Sequence, residues 1–138
     1  LYMEDMQIIK GTLQDNILLG RHDVNAEDIL ELSELIGIEH LSSQFTNGFY
    51  TELSETDTEI SFSSKKKILL LRALLGNHRL LLLEDPLDGM NAEFKLKMID
   101  YLQEIKKKAT VIIVSDAQEI MNIADQELHL QNGRVTSN

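Results

Sequence analysis

The sequence predicts an α/β fold, a parallel sheet with a helical insert before it. Leu80 to Leu83 are four consecutive leucines that run into Glu84, Asp85 and Pro86, and a short run apolar at every position fits a strand buried on both faces. Ala109 to Val114 (ATVIIV) is a second such run, ending at Ser115-Asp116. Between them Asn91 can cap a long amphipathic helix through Ile105, with Phe94, Met98, Ile99, Leu102 and Ile105 on one side. Strand, helix, strand is the order of a parallel sheet, and ligands of such sheets gather beyond the carboxyl ends of the strands. Glu84 and Asp85 stand at that place. Two adjacent carboxylates suit a Mg²⁺–phosphate site; the other reading is a solvated acidic turn.

The elements follow in chain order. Tyr2, Ile8 and Ile9 precede a break at Lys10-Gly11, and Thr12 can cap a short helix with Leu13, Ile17 and Leu18 that ends at Gly20. After a polar loop Asn25 caps a second helix, with Glu27 and Asp28 in the first turn where the helix dipole favours anions. Its apolar face is Ile29, Leu32, Leu35 and Ile36, and Gly37 closes it. Leu41 and Phe45 suggest another short helix, ending in Thr46-Asn47-Gly48, and Thr51 to Glu59 reads as an exposed acidic loop. Ile60-Ser61-Phe62-Ser63-Ser64 leads into an apolar helix over Lys65 to Leu75 that Gly76 stops. Lys106 to Lys108 close the long helix at the negative end of its dipole. A short helix with Ile120 and Ile123 follows the second strand. Leu128 and Leu130 then share one face of an alternating stretch, and Asn132-Gly133 makes a type I′ hairpin turn into Arg134-Val135.

At 138 residues the chain is one domain or part of one, long enough to bury a core. A first residue other than Met leads to the expectation of a piece of something longer. The net charge of −10 argues against a nucleic-acid partner, because phosphate backbones need clustered Lys and Arg, and the basic clusters are only Lys65–Lys67 and Lys106–Lys108. With no cysteine there is no disulfide framework and no thiolate metal site. No apolar run approaches the about 18–20 residues of a transmembrane span, and no signal peptide is visible.

Seven fragments together resemble the rear half of the nucleotide-binding domain of ABC transporters, of the exporter type. Gly11 to Ile17 (GTLQDNI) is similar to the family's GTIRENI, and Asn47 to Thr51 (NGFYT) to its NGYDT. Ile68 to Leu75 resembles IAIARALL, Leu80 to Asp85 the Walker B strand, and Thr110 to Val114 the strand before the switch histidine. Asp125 to Val135 resembles the closing hairpin with its NGR turn, and Ile60 to Ser64 stands where the family has LSGGQ. Each fragment is weak alone; their order and separations carry the resemblance.

The resemblance implies a partial P-loop NTPase (RecA-like) sheet with an α-helical subdomain. Residues 1–76 would hold a Q-loop-like segment, the helical subdomain and the signature helix; residues 77–138 would hold the Walker B-like half of the core. It also implies ATP and Mg²⁺ as cofactors, a second nucleotide-binding domain and a transmembrane domain as partners, and a peripheral place on the cytoplasmic side of a membrane. The phosphate-cradling motif G-x-x-x-x-G-K-[ST] starts at none of the seven glycines, so its strand and helix are expected upstream of Leu1.

Position by position, the resemblance implies altered chemistry. The Q-loop glutamine falls on Glu4. Of LSGGQ only the serine is kept, at Ser61; Phe62 and Ser63 replace the glycines that let a backbone approach a γ-phosphate, and Ser64 replaces the glutamine. Glu84 stands for the Mg²⁺-holding aspartate and Asp85 for the catalytic glutamate, one methylene shorter as a general base. The D-loop aspartate falls on Asn91 and the switch histidine on Asp116, an anion beside the phosphates. For each there is a plainer role: helix caps for Ser61, Ser63, Asn91 and Asp116, a solvated helix face for Lys65–Lys67.

The expected function is thus part of the ATPase domain of an ABC-type exporter, hydrolysing slowly or not at all. Two other readings stay open. One is a non-catalytic regulatory or assembly module that keeps the shape, and the other a Mg²⁺-binding acidic pocket of Glu84, Asp85 and Asp116.

Overall fold

The computed structural model describes residues 1–22, 24–38, 46–54 and 60–137. The first part begins with a two-residue strand β1 (Gly11–Thr12), helix α1 (Leu13–Leu18) and helix α2 (Ala26–Ile36). A 3-10 turn (Gly48–Tyr50), strand β2 (Glu52–Leu53) and the central helix α3 (Phe62–Leu74) follow. The second part is β3 (Leu80–Glu84), α4 (Ala92–Ile105), β4 (Thr110–Val114), α5 (Gln118–Met121), β5 (Leu128–Gln131) and β6 (Arg134–Ser137). The α/β expectation holds, with helices concentrated in the first half.

The helix starts are set by short polar side chains. Thr12 and Asp15 form a reciprocal capping box on α1. The side-chain oxygens of Asn25, Ser61 and Asn91 accept from the first turns of α2, α3 and α4. Gly37 closes α2 in the left-handed region, as expected. Helix α1 stops one residue earlier than expected, because Leu19 itself takes the left-handed cap at φ 47° and Gly20 continues it at φ 72°.

Strands β3 and β4 pair in parallel, from Leu80 opposite Thr110 to Glu84 opposite Val114. Tyr2 adds a bridge on the other edge of β3, donating its N–H to the Leu82 carbonyl at 2.8 Å and accepting from Glu84 N–H at 3.1 Å. The sheet is not buried on both faces as expected. Leu81 and Leu83 join Phe94, Met98 and Leu102 of α4 in the core, whereas Leu80, Ile112 and Val114 are 51%, 52% and 65% exposed. Among the described residues, helices cover one face of the pair.

Two further expectations change. Within the loop expected over Thr51 to Glu59, Glu52 and Leu53 pair with Thr12 and Gly11, and Leu53 is buried, since one apolar residue in a polar stretch suffices to hold a two-residue strand. Residues 55–59 and the helix expected around Leu41 and Phe45 lie outside the described residues. The Asn132-Gly133 turn has φ 51° and 72°, as type I′ requires. Its hairpin pairs β5 with β6 but leaves Leu128, Leu130 and Val135 exposed.

The core centres on α3, whose residues Ile68 to Leu74 are all buried, Arg72 among them. Arg72 donates to the Asn16 carbonyl at 2.7 Å, to Asn16 Oδ1 at 2.8 Å and to the Gln7 carbonyl at 3.1 Å. The fully buried Asn16 side chain also accepts from Ile9 N–H and donates to the carbonyls of Ile9 and Thr12, so all its hydrogen-bonding capacity is used. Arg21 donates to the carbonyls of Ile17, Leu18, Leu75 and Arg72. Two guanidiniums thus tie α1 to α3 through backbone oxygens. Replacing Asn16 leaves a buried cation and a backbone pair short of partners, so Asn16→Ala is expected to cost about 3 kcal/mol by urea denaturation. A loss under about 1 kcal/mol would show that the network is slack.

Candidate functional site

The site grows out of the carboxyl end of β3. After Glu84 the chain turns at once: Asp85 takes φ 41°, in the left-handed region, and still donates its N–H to the Val114 carbonyl at 2.8 Å. Asp88 N–H then donates to the Asp85 carbonyl at 3.2 Å and Met90 N–H to Leu87 at 3.3 Å. Pro86, Leu87 and Met90 are buried beneath the turn. Gly89, at φ 68°, leads into Asn91, whose Oδ1 accepts from Phe94 N–H at 2.9 Å. The apolar residues anchor the turn; Glu84 and Asp85 are half-buried and Asp88 is exposed.

The other candidates converge on this turn from two directions. The Tyr2 bridge carries Glu4 alongside β3, so that Glu4 N–H donates to Glu84 Oε2 at 3.1 Å. At the start of α3, Ser61 Oγ accepts from Ser64 N–H at 3.1 Å and lies 2.8 Å from Ser64 Oγ and 3.1 Å from Ser63 Oγ. These serines cap the helix and one another. The exposed Phe62 ring lies against Gly89, where an added Cβ would meet Phe62 Cε1 at 3.8 Å. Asp116 is exposed two residues past Val114, at the same end of the sheet. It does not cap α5, whose N-cap position is Ala117 and carries no side-chain cap, while Ser115 Oγ accepts from Ala117 N–H.

Lys66 departs from the solvated face expected of Lys65–Lys67. It is 3% exposed, and its Nζ donates to the Asp88 carbonyl at 2.7 Å with Asp88 Oδ2 at 4.0 Å. Burial lowers its pKa, against the pull of Asp88, Glu4 and Asp85. Burial together with Glu4, Asp88, Glu84 and Asp85 pushes the Tyr2 hydroxyl up to about 12. Helical spacing carried a signal for Lys66, since it shares the i, i+3, i+4, i+7 face with the buried Leu69, Leu70 and Ala73. Tyr2 pairs across some 80 positions of sequence, and nothing local announces it.

Among the described residues no three Asp, Glu or His side chains converge to hold a metal ion. The donor chemistry of Glu84 and Asp85 fits a different site, in which one or two carboxylates hold Mg²⁺ and the phosphates of a substrate complete its shell.

The chain is similar to ABC transporter proteins in both fold and sequence. Its fold matches a solved bacterial Atm1-family ABC exporter with ATP bound, at a TM-score of 0.81 and 19% identity, over 96% of this chain and 23% of that one. In sequence it is 29% identical over 129 residues to a probable ABC transporter ATP-binding/permease protein of Haemophilus influenzae. It is 28% identical over 132 residues to ABC transporter B family member 3 of Dictyostelium discoideum, and 25% over 134 residues to a putative export ATP-binding/permease protein of Rickettsia felis. These alignments take in 94–97% of this chain but only 9–23% of the relatives' own length. No family model matches the chain. The homologues are therefore ABC transporter ATP-binding/permease proteins, as the motifs indicated. Among the described residues no helix is long and apolar enough to cross a membrane.

The left-handed Asp85 yields a prediction about the turn. Asp85→Gly is expected to stabilise the chain by up to about 1 kcal/mol in urea denaturation, and Asp85→Val to cost about 1–2 kcal/mol. Loss of stability in Asp85→Gly would mean that the carboxylate, and not the backbone, shapes the turn.

Proposed function

We propose that the chain is the rear half of the ATP-driving domain of an ABC exporter, with residues 1–76 as the helical subdomain and signature helix and residues 77–138 as the Walker B-like half. The observation that carries this reading is the strand end, where Glu84, Asp85, Glu4 and the start of α3 meet. Glu84 and Asp85 would hold Mg²⁺, which supplies charge neutralisation to bound phosphates. Asp85 would also act as general base on the attacking water, and Asp116 would face the phosphates. Ser61, Ser63 and Ser64 would meet the γ-phosphate of a nucleotide held by a second nucleotide-binding domain, and Glu4 and Asn91 would border the same site. A transmembrane domain would be the other partner, with this part on the cytoplasmic face.

The chemistry supports slow turnover. The serine oxygens are engaged with one another, Phe62 stands where close backbone approach is needed, and Asp85 is a short base on a left-handed residue. In the intact transporter, ATP turnover is expected well below about 1 s⁻¹ and little changed by Asp85→Asn. Turnover in the enzymatic range of about 1–10³ s⁻¹, abolished by Asp85→Asn, would overturn the degenerate reading.

The bare face at Leu80, Ile112 and Val114 favours a second reading, an assembly module that keeps the shape without the chemistry. Analytical ultracentrifugation of the 138-residue chain tests the module reading. Self-association is what the module predicts, and a cooperatively folded monomer counts against it.

A further inference from the structure

A buried ammonium is costly unless its surroundings compensate it. Lys66 is such a group, and no apolar contact of α3 requires a charge there, since Leu69, Leu70 and Ala73 on the same face are uncharged. Its compensation comes from the strand-end turn. The Asp88 carbonyl takes one N–H, the Asp88 carboxylate lies 4.0 Å from Nζ, and Glu4 and Asp85 act on the same charge from the flanking segments. An ammonium is a compact charge with three donors on a flexible stem, which suits one carbonyl and several loosely placed carboxylates.

We propose that Lys66 is the resident cation of this acidic strand end. It pins the turn from Asp85 to Gly89 through the Asp88 carbonyl and neutralises Glu4, Asp85 and Asp88, the role a divalent ion takes in other acidic loops. The turn is therefore ordered without metal. Free Mg²⁺ meets a positive charge already in place, so a divalent ion enters only when an anionic ligand, such as a phosphate chain, brings it. This inference stands apart from the exporter reading, because it concerns the chain without nucleotide.

The test uses the full chain, without nucleotide, and Mg²⁺ or Mn²⁺ alone as the probe. Wild type is expected to show no saturable binding by calorimetry and a melting temperature that Mg²⁺ leaves unmoved. Lys66→Gln is expected to melt lower, to recover part of the loss with Mg²⁺, and to gain about tenfold or more in Mn²⁺ affinity, as removal of the ammonium 4.0 Å from Asp88 Oδ2 implies. Lys66→Arg keeps the charge and should stay unresponsive to metal. A Lys66→Gln chain that melts lower but ignores Mg²⁺ and Mn²⁺ would reduce Lys66 to a packing residue and overturn the proposal. Saturable stabilisation of wild type by Mg²⁺ would overturn it too. If Lys66→Gln does not fold, amide NMR of wild type decides: Asp85, Asp88 and Gly89 signals unmoved by Mg²⁺ support the proposal, and a saturable shift overturns it.

Discussion

Two buried cations on one helix hold this molecule together. Arg72, near the end of α3, reaches into α1 and binds the backbone and side chain of Asn16. Lys66, six residues earlier, reaches into the turn beyond β3 and binds the Asp88 carbonyl. Each charge is satisfied by oxygens from a distant part of the sequence, so removing a partner would strand a buried charge. Burial, and next the neighbouring Arg21, lower the Arg72 pKa, which marks how far that guanidinium is withdrawn from water. Helix α3 therefore fixes the helical first half against the strand end, and the candidate site lies where the two are held in register.

That arrangement also explains how the site is built from weak parts. Neither the serines at the start of α3 nor Glu84 and Asp85 make a binding site alone. The Tyr2 bridge brings Glu4 to Glu84, and Phe62 and Lys66 bring the start of α3 to Gly89 and Asp88. The open face of the β3–β4 pair and the short share of the relatives' length covered by this chain agree in one respect. Both are compatible with the proposal that these residues work as part of a larger ATP-driving domain.

Local chemistry was legible in the sequence, and long-range placement was not. Thr12, Asn25, Ser61 and Asn91 cap helices because a short polar side chain satisfies amides two or three residues away, and the Asn132-Gly133 turn needs only its own two residues. The strands at Leu80 and Thr110 announced themselves by composition, but composition could not say which of their faces this chain covers. The β1–β2 pairing and the Tyr2 bridge depend on partners about 40 and 80 residues distant. The meeting of Glu4 with Glu84 was legible only through family resemblance. Three lysines in a row read as a solvated face, yet the helical register of Lys66 puts it on the buried one.

On the function proposed above, this chain carries one side of a nucleotide site, and a second element holds the nucleotide. Calorimetric titration of Mg·ATP into the purified 138-residue chain tests it most directly. No saturable heat is expected even with nucleotide in large excess. Saturable one-to-one binding, weakened by Glu84→Gln, would contradict it and show that the strand end is a complete nucleotide site by itself.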